Sequence, residues 1–323
     1  LPANSRLSVD SLTKDSPSTK IPCWTIDIIK LLLLLVYFYA GIAKINSDWL
    51  MNSNPLSIWL PSKFDLPLIG GLLSKYWVAS LMSWCGMLFD VFIGFFLFHR
   101  KTSHYAYFFV IIFHVMTAIL FPSIGMFPYI MITLTIIFLS PKLHTKVLNK
   151  FNFIVPSKNQ ALKNKLPKAS NLSIILLSFF LLFQLLFPLR YKLYNDELFW
   201  SEEGYRFSWR VMLVEKTGLA TFIISDANTN KREIVDNKLF LTSFQESKMS
   251  FQPDMILEYA HFLGAHYKNR GYKNPQVTVD SFVSLNGRLS TRFVRKDVNL
   301  MEIKDTFKEY NWITTFDDEI WRF

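Results

Sequence analysis

Lys44 ends an unbroken apolar run, Leu31–Ile42, and is followed within five residues by the pair Asp48-Trp49, in the stretch VYFYAGIAKINSDWL (Val36–Leu50). A lysine there is either an anchor that snorkels to a membrane surface or an amine held where water is scarce. In the second case loss of solvation disfavours the charged form of an amine, and a neutral base becomes available to a membrane-soluble acid such as a quinol. Three further features accompany it. His114 stands midway along an apolar segment, in Phe113-His114-Val115-Met116-Thr117; two prolines and a glycine fold the chain back at Phe121–Pro128; and Trp200–Trp209 reads WSEEGYRFSW. Each has a structural alternative. His114 suits an interhelical hydrogen bond, and Trp200, Tyr205, Phe207 and Trp209 suit an aromatic belt at a membrane interface. Asp90, inside another apolar segment, is costly to bury and needs a partner or a wet cavity. His261 and His266 lack the HExxH spacing and read as surface residues.

Composition says what must position these groups. Of 323 residues, 51% are apolar and 31 are phenylalanine, which is the make-up of a membrane protein. The net charge of +10 collects in one interhelical loop instead of in aromatic-interleaved stripes, so membrane topology accounts for it and nucleic acid is not expected as a partner. Cys23 and Cys85 supply neither a metal quartet nor a disulfide framework, no metal is expected, and Cys85 is expected to pack inside a helix. LPANSRLSVD lacks the order of a signal peptide, so Leu1 is not expected to be the natural start.

The pattern predicts a multi-pass α-helical membrane protein followed by a small, hairpin-rich α+β domain. Residues 1–24 form a polar connecting segment, 25–193 the helical membrane domain and 194–323 the α+β domain. Five spans are expected, at about 28–45, 73–98, 105–121, 124–139 and 172–189. Short basic loops stay cytoplasmic. The linker 141–170 carries Lys142, Lys146, Lys150, Lys158, Lys163, Lys165 and Lys168 without an acid; His99-Arg100-Lys101, Arg6, Lys14 and Lys20 agree with it. The domain after residue 193 is then expected to be periplasmic or lumenal, with Lys44 at the outer end of its helix.

Beyond the last span, Phe207–Leu213 alternates like a strand with Thr221–Ser225 as its partner. Val277–Leu285 alternates up to Asn286-Gly287, the dipeptide of a type I′ hairpin turn, with Arg288–Arg295 as the return strand. Between them a helix is expected from Pro253 to about Lys268, with Met255, Ile256, Tyr259, Phe262 and Leu263 on its apolar face and Gly271 beyond its end.

AGIAKINSDWL resembles the AGxxKxxxDW segment of the vitamin K-dependent γ-carboxylases and their bacterial relatives in the HTTM superfamily. Further resemblances follow in the family's order: GMLFDVFIGFFLF (Gly86–Phe98), FHVMTAILFPSIGMF (Phe113–Phe127), EGYRFSWRVML (Glu203–Leu213), QPDMILEYA (Gln252–Ala260) and VSLNGR (Val283–Arg288). They run from Ile21 to about Ile313, and the chain is similar to a bacterial-type homologue shortened at its N-terminus.

The resemblance implies that Lys44 deprotonates reduced vitamin K or a related menaquinol. Reaction of the anion with O2 then yields a base strong enough to remove a γ-proton from a protein-bound glutamate, and the carbanion adds CO2. A glutamate γ C–H is far too weak an acid for any side-chain base, so quinol oxidation must supply the driving force. It also implies that Tyr205 and Trp209 lie near the reacting glutamate, while His114 and Asp90 match supporting positions. Gly204 departs from the family, which has leucine there, and the family's Asn-His-Tyr segment is expected upstream of Leu1. The expected partners are membrane lipid, the quinol and a glutamate-containing protein. Two alternatives stay open: epoxidation without carboxylation, and a non-enzymatic quinone- or lipid-binding protein in which Lys44 is ion-paired with Asp90 or Asp48.

Overall fold

The computed structural model describes residues 22–150, 170–226, 228 and 231–322. The N-terminal residues Arg6, Lys14 and Lys20 and the linker lysines Lys158, Lys163, Lys165 and Lys168 lie outside them. In chain order the main elements are α1 (Cys23–Ala43), α2 (Ser47–Leu50), α3 (Tyr76–Phe98), α4 (Ser103–Leu120), α5 (Phe127–Thr135), α6 (Pro141–Lys150), α7 (Asn171–Leu186), β1 (Lys216–Asp226), β2 (Lys231–Ile234), α8 (Ser243–Met249), α9 (Pro253–Asn269), β3 (Gln276–Leu285) and β4 (Thr291–Arg292).

Among the described residues, α1, α3, α4 and α7 with its extension to Leu193 are long and apolar enough to cross a membrane. The span expected at 124–139 takes another form. Pro122–Ile124 is a 3₁₀ turn, α5 starts only at Phe127, and Ser140-Pro141 closes the segment after Phe138, which leaves roughly 18 Å of helix. It then bends by 114° into α6, and counting that pair as one broken span gives five.

The chain forms two compact units. The first takes Leu1–Ile42 and Gly86–Phe187. Its core joins Leu33 and Tyr37 of α1 to Ile93 and Leu97 of α3, Ala106 and Val110 of α4, and Met131 of α5. A Cβ on Gly41 would fall 2.6 Å from the backbone nitrogen of Val91, so glycine is what lets α1 close onto α3. Phe92, Phe95, Phe96, Phe108 and Phe109 remain exposed, as lipid-facing side chains are.

The second unit takes Ala43–Cys85 and Pro188–Phe323. Its antiparallel sheet has the order β2-β1-β3-β4, and α9 packs on β1 and β3 through Ile256, Tyr259, Ala260, Leu263 and Tyr267. Pro253 opens α9 at its first turn, and Gly271 follows its end with φ +92°. The expected apolar face is rotated, because Met255 and Phe262 are exposed. Cys85, expected inside, is exposed on the face of α3 that carries Leu81, Trp84 and Leu88. An almost uniformly apolar helix gives no periodicity from which to read an inner face.

Two strand expectations fail. Residues 207–213 form no strand, since Phe207, Trp209 and Met212 have φ of 57°, 58° and 55° and break any two-residue repeat. Thr221–Ser225 does lie in a strand, β1, but pairs with β2 and β3. Asn286-Gly287 has φ of 51° and 77°, the signs a type I′ turn needs. The return strand shrinks to Thr291–Arg292, because Arg288 leaves the ladder for Asp48.

Candidate functional site

Asn46 makes the corner that carries Lys44. Its Nδ2 donates to the Ala43 carbonyl at 3.0 Å and its Oδ1 accepts from the Trp49 amide at 2.9 Å, so one side chain closes α1 and caps α2. Trp49 is buried and donates Nε1 to the Ser83 carbonyl at 2.8 Å. Lys44 is only 7% exposed, with Nζ 5.4 Å from the Trp49 ring centroid. An indole face beside an amine in a water-poor setting makes a flat, electron-rich wall.

Asp48 fixes this corner to the hairpin. Its two oxygens accept from Arg288 Nη1 and Nη2 at 2.7 and 2.8 Å, and Asn286 Nδ2 donates to it at 2.6 Å. Burial alone would raise the Asp48 pKa. The hydrogen bonds from Arg288 and Asn286 and the guanidinium charge outweigh burial and hold the carboxyl below its ordinary range. Asn286 also accepts from the Glu215 amide at 2.8 Å, which ties the turn to the approach of β1. Asp48, one of the two acids expected to pair with Lys44 in the binding-protein alternative, thus gives both oxygens to Arg288.

The segment 202–212 is built differently. Glu202, Gly204, Phe207, Trp209 and Met212 all have positive φ. Gly204 has φ +77°, and a Cβ there would lie 2.6 Å from Tyr191 Cα, so this backbone position takes glycine. Tyr205 is half-buried with its ring edge-on to Phe199, 6.3 Å between centroids. Desolvation raises its pKa, Glu202 adds to the rise and Arg210 opposes it. Trp209 is half-buried and Phe207 exposed. Trp200 is no interfacial residue: it is in the core, donating Nε1 to the Thr314 carbonyl at 2.7 Å. Arg206 holds the loop to α9 through Asp254 and Gln252.

An ion pair and a buried acid at the loop escaped the sequence reading. Lys216 Nζ is buried, 2.9 Å from Glu202 Oε1 and 2.6 Å from the Trp200 carbonyl; burial pushes its pKa down against the pull of Glu202. Glu203 accepts from the Tyr310 amide at 2.6 Å, and burial pushes its pKa up, with Asp196 and Glu309 adding to the rise. Arg288 had one signal, its place directly after Asn-Gly. Lys216 and Glu203 had none, because a charge at a strand end or in a loop normally marks a solvated face.

Lys44, Tyr205 and Trp209 belong to the second unit; His114 and Asp90 belong to the first. Tyr37 Oη lies 3.1 Å from His114 Nε2 and 3.4 Å from Thr135 Oγ1, a hydrogen-bonded link among α1, α4 and α5. Asp90 is buried and engaged in polar or electrostatic contact. An apolar groove of about 450 Å³ between α3 and α4, lined by Phe89, Phe92, Phe96, Tyr105 and Phe109 among others, contains none of these residues. Among the described residues no group of His, Cys, Asp and Glu stands close enough to hold a metal ion.

Membrane-crossing helices and an α+β domain that shares its unit with the lysine-bearing corner define a multi-pass membrane protein. The model of the HTTM domain matches residues 1–142, and the model of the vitamin K-dependent gamma-carboxylase lumenal domain matches residues 169–319. With both matches in this order, the chain belongs to the vitamin K-dependent gamma-carboxylase family. No solved structure matches it.

Proposed function

We propose that the protein oxidises reduced vitamin K, or a related menaquinol, and couples that oxidation to carboxylation of a glutamate side chain. The observation that carries this reading is Lys44, an amine only 7% exposed at the end of a membrane helix, in the segment that resembles the family's own lysine motif. Quinol oxidation by O2 supplies a base stronger than any side chain. Lys44 takes the hydroxyl proton of the quinol, and the Trp49 ring 5.4 Å away offers a flat apolar wall to an aromatic substrate. Asp48, Arg288 and Asn46 hold that amine in place. Tyr205 and Trp209 contact the glutamate, and His114 and Asp90 support the helical unit.

The membrane domain occupies 25–193 and the domain 194–323 is periplasmic or lumenal, with the basic loop 141–170 cytoplasmic. The charge bias of that loop and the match to a lumenal domain model support this sidedness. The substrates are the quinol, O2, CO2 and a glutamate-containing protein.

The test is epoxide formation from reduced vitamin K and O2 by the detergent-purified chain, with labelled CO2 incorporation into a glutamate peptide read in the same tube. Lys44→Ala is expected to lower both by about 10²-fold or more while the protein still melts cooperatively. Lys44-dependent epoxide without labelled peptide would leave an epoxidase. No epoxide from folded wild type would leave a quinone- or lipid-binding protein.

A further inference from the structure

Three arginines meet around Tyr191 and the 202–212 segment, and two of them are matched by carboxylates. Arg206 bonds Asp254, and Arg322 Nη1 lies 2.5 Å from Glu197 Oε1. Arg210 differs. Its guanidinium lies over the Tyr191 ring at 4.5 Å and near Phe199 at 5.9 Å, its Nε is buried without a hydrogen-bond partner, and no carboxylate pairs with it among the described residues. Tyr191 favours the charged form of this guanidinium, and the charge of Arg322 lies close enough to oppose it.

Arg210 is half-buried; a guanidinium partly removed from water without a counter-charge is costly, and such groups cluster at sites where an anionic ligand supplies the missing charge. The planar fork of arginine fits a carboxylate with two parallel hydrogen bonds. Arg210 directly follows Trp209, and Tyr205 is near enough to interact with its charge.

We propose that Arg210 binds the side-chain carboxylate of the glutamate substrate and so selects glutamate over glutamine. The choice of glutamate rests on the carboxylation reading given above; the choice of a carboxylate rests on the geometry. A carboxylate held on a guanidinium also tolerates further negative charge on the same side chain more readily than a free one.

The experiment compares thermal unfolding of the full chain in detergent with N-acetyl-glutamate methylamide, the matching glutamine compound, and sodium bicarbonate. The glutamate compound is expected to raise the melting temperature of wild type, and the glutamine compound and bicarbonate are not. Arg210→Gln is expected to weaken apparent binding of the glutamate compound at least tenfold, and Arg210→Lys, which keeps the charge but not the fork, to weaken it less. No shift in wild type overturns the proposal. So does a shift that survives in Arg210→Gln, one that the glutamine compound matches, or bicarbonate acting in place of the glutamate compound. Should Arg210→Gln not fold, the Lys variant decides: undiminished binding supports a mere point charge and overturns the fork, and weakened binding upholds it. Epoxide formation by wild type is measured separately, so a failed oxidation reading leaves the carboxylate result standing on its own.

Discussion

The corner at Asn46–Trp49 and the loop at Glu202–Met212 both bury polar groups, and they treat them in opposite ways. In the corner every named donor meets an acceptor: Asn46 caps two helices, Trp49 bonds Ser83, and Asp48 takes a bidentate arginine and an asparagine. No residue from 46 to 50 has a positive φ. In the loop five residues do, and Glu203 Oε2 and Arg210 Nε are buried without partners. Satisfied groups on unstrained backbone make a rigid mount. Strain and open valences persist where the surroundings impose them, and they gather at ligand sites. The corner that follows Lys44 is thus rigidly built, and the Tyr205–Arg210 stretch keeps unsatisfied polar groups on strained backbone.

The largest expected effect is on the corner. Arg288→Ala leaves a carboxylate with 1% side-chain exposure without its guanidinium, and breaking a buried pair in this way costs about 3–5 kcal/mol. Thermal unfolding in detergent measures it, and a loss below about 1 kcal/mol would mean that the corner is no more rigid than the loop. The pH dependence has a defined sign. The Asp48 pKa is depressed in the folded state, so its contribution is fully present above its unfolded value of about 3.9 and is lost as pH falls through the folded value. Wild type should therefore lose stability in acid more steeply than Arg288→Ala.

Next in size is Gly204→Ala, which puts a Cβ against the Tyr191 backbone at a left-handed position and should cost about 2 kcal/mol or more. Phe207→Gly tests the same strain from the other side. Phe207 is 79% exposed with φ 57°, so glycine there should be neutral or stabilise by up to about 1 kcal/mol. A clear destabilisation would show the loop to be held by packing, like the corner.

The same contrast explains what was legible in the sequence. Hydropathy marked four spans within a few residues of α1, α3, α4 and α7, and Asn286-Gly287 marked its turn, because both signals are local. Alternation at Phe207–Leu213 misled, because the positive φ of Phe207, Trp209 and Met212 is imposed by the folded surroundings and leaves no mark in the local pattern. The lysine of the corner could be read from its apolar flank. Its mount could not, because Arg288 lies 240 residues from Asp48 in sequence and only the folded second unit joins them. Lys216 and Arg210 were hidden for a related reason: burial of a charge is a tertiary fact, and a lone basic residue after an aromatic one carries no periodic signal.

The smallest expected effect concerns Glu203, whose carboxyl lies in the loop with one oxygen on the Tyr310 amide and the other unpartnered. Burial raises its folded pKa, so the folded state keeps a proton that the unfolded chain has already released. Stability from this group is present below its unfolded pKa and declines as pH rises from there through the folded value. Glu203→Gln removes the titration while retaining an oxygen for Tyr310. The gap between wild-type and variant melting temperatures should then open as pH rises from about 4 toward neutrality, with the variant the more stable at the upper end. A gap that stays constant across this range would mean that Glu203 is as well compensated as Asp48, and the loop would then resemble the corner in its electrostatics and differ only in its backbone.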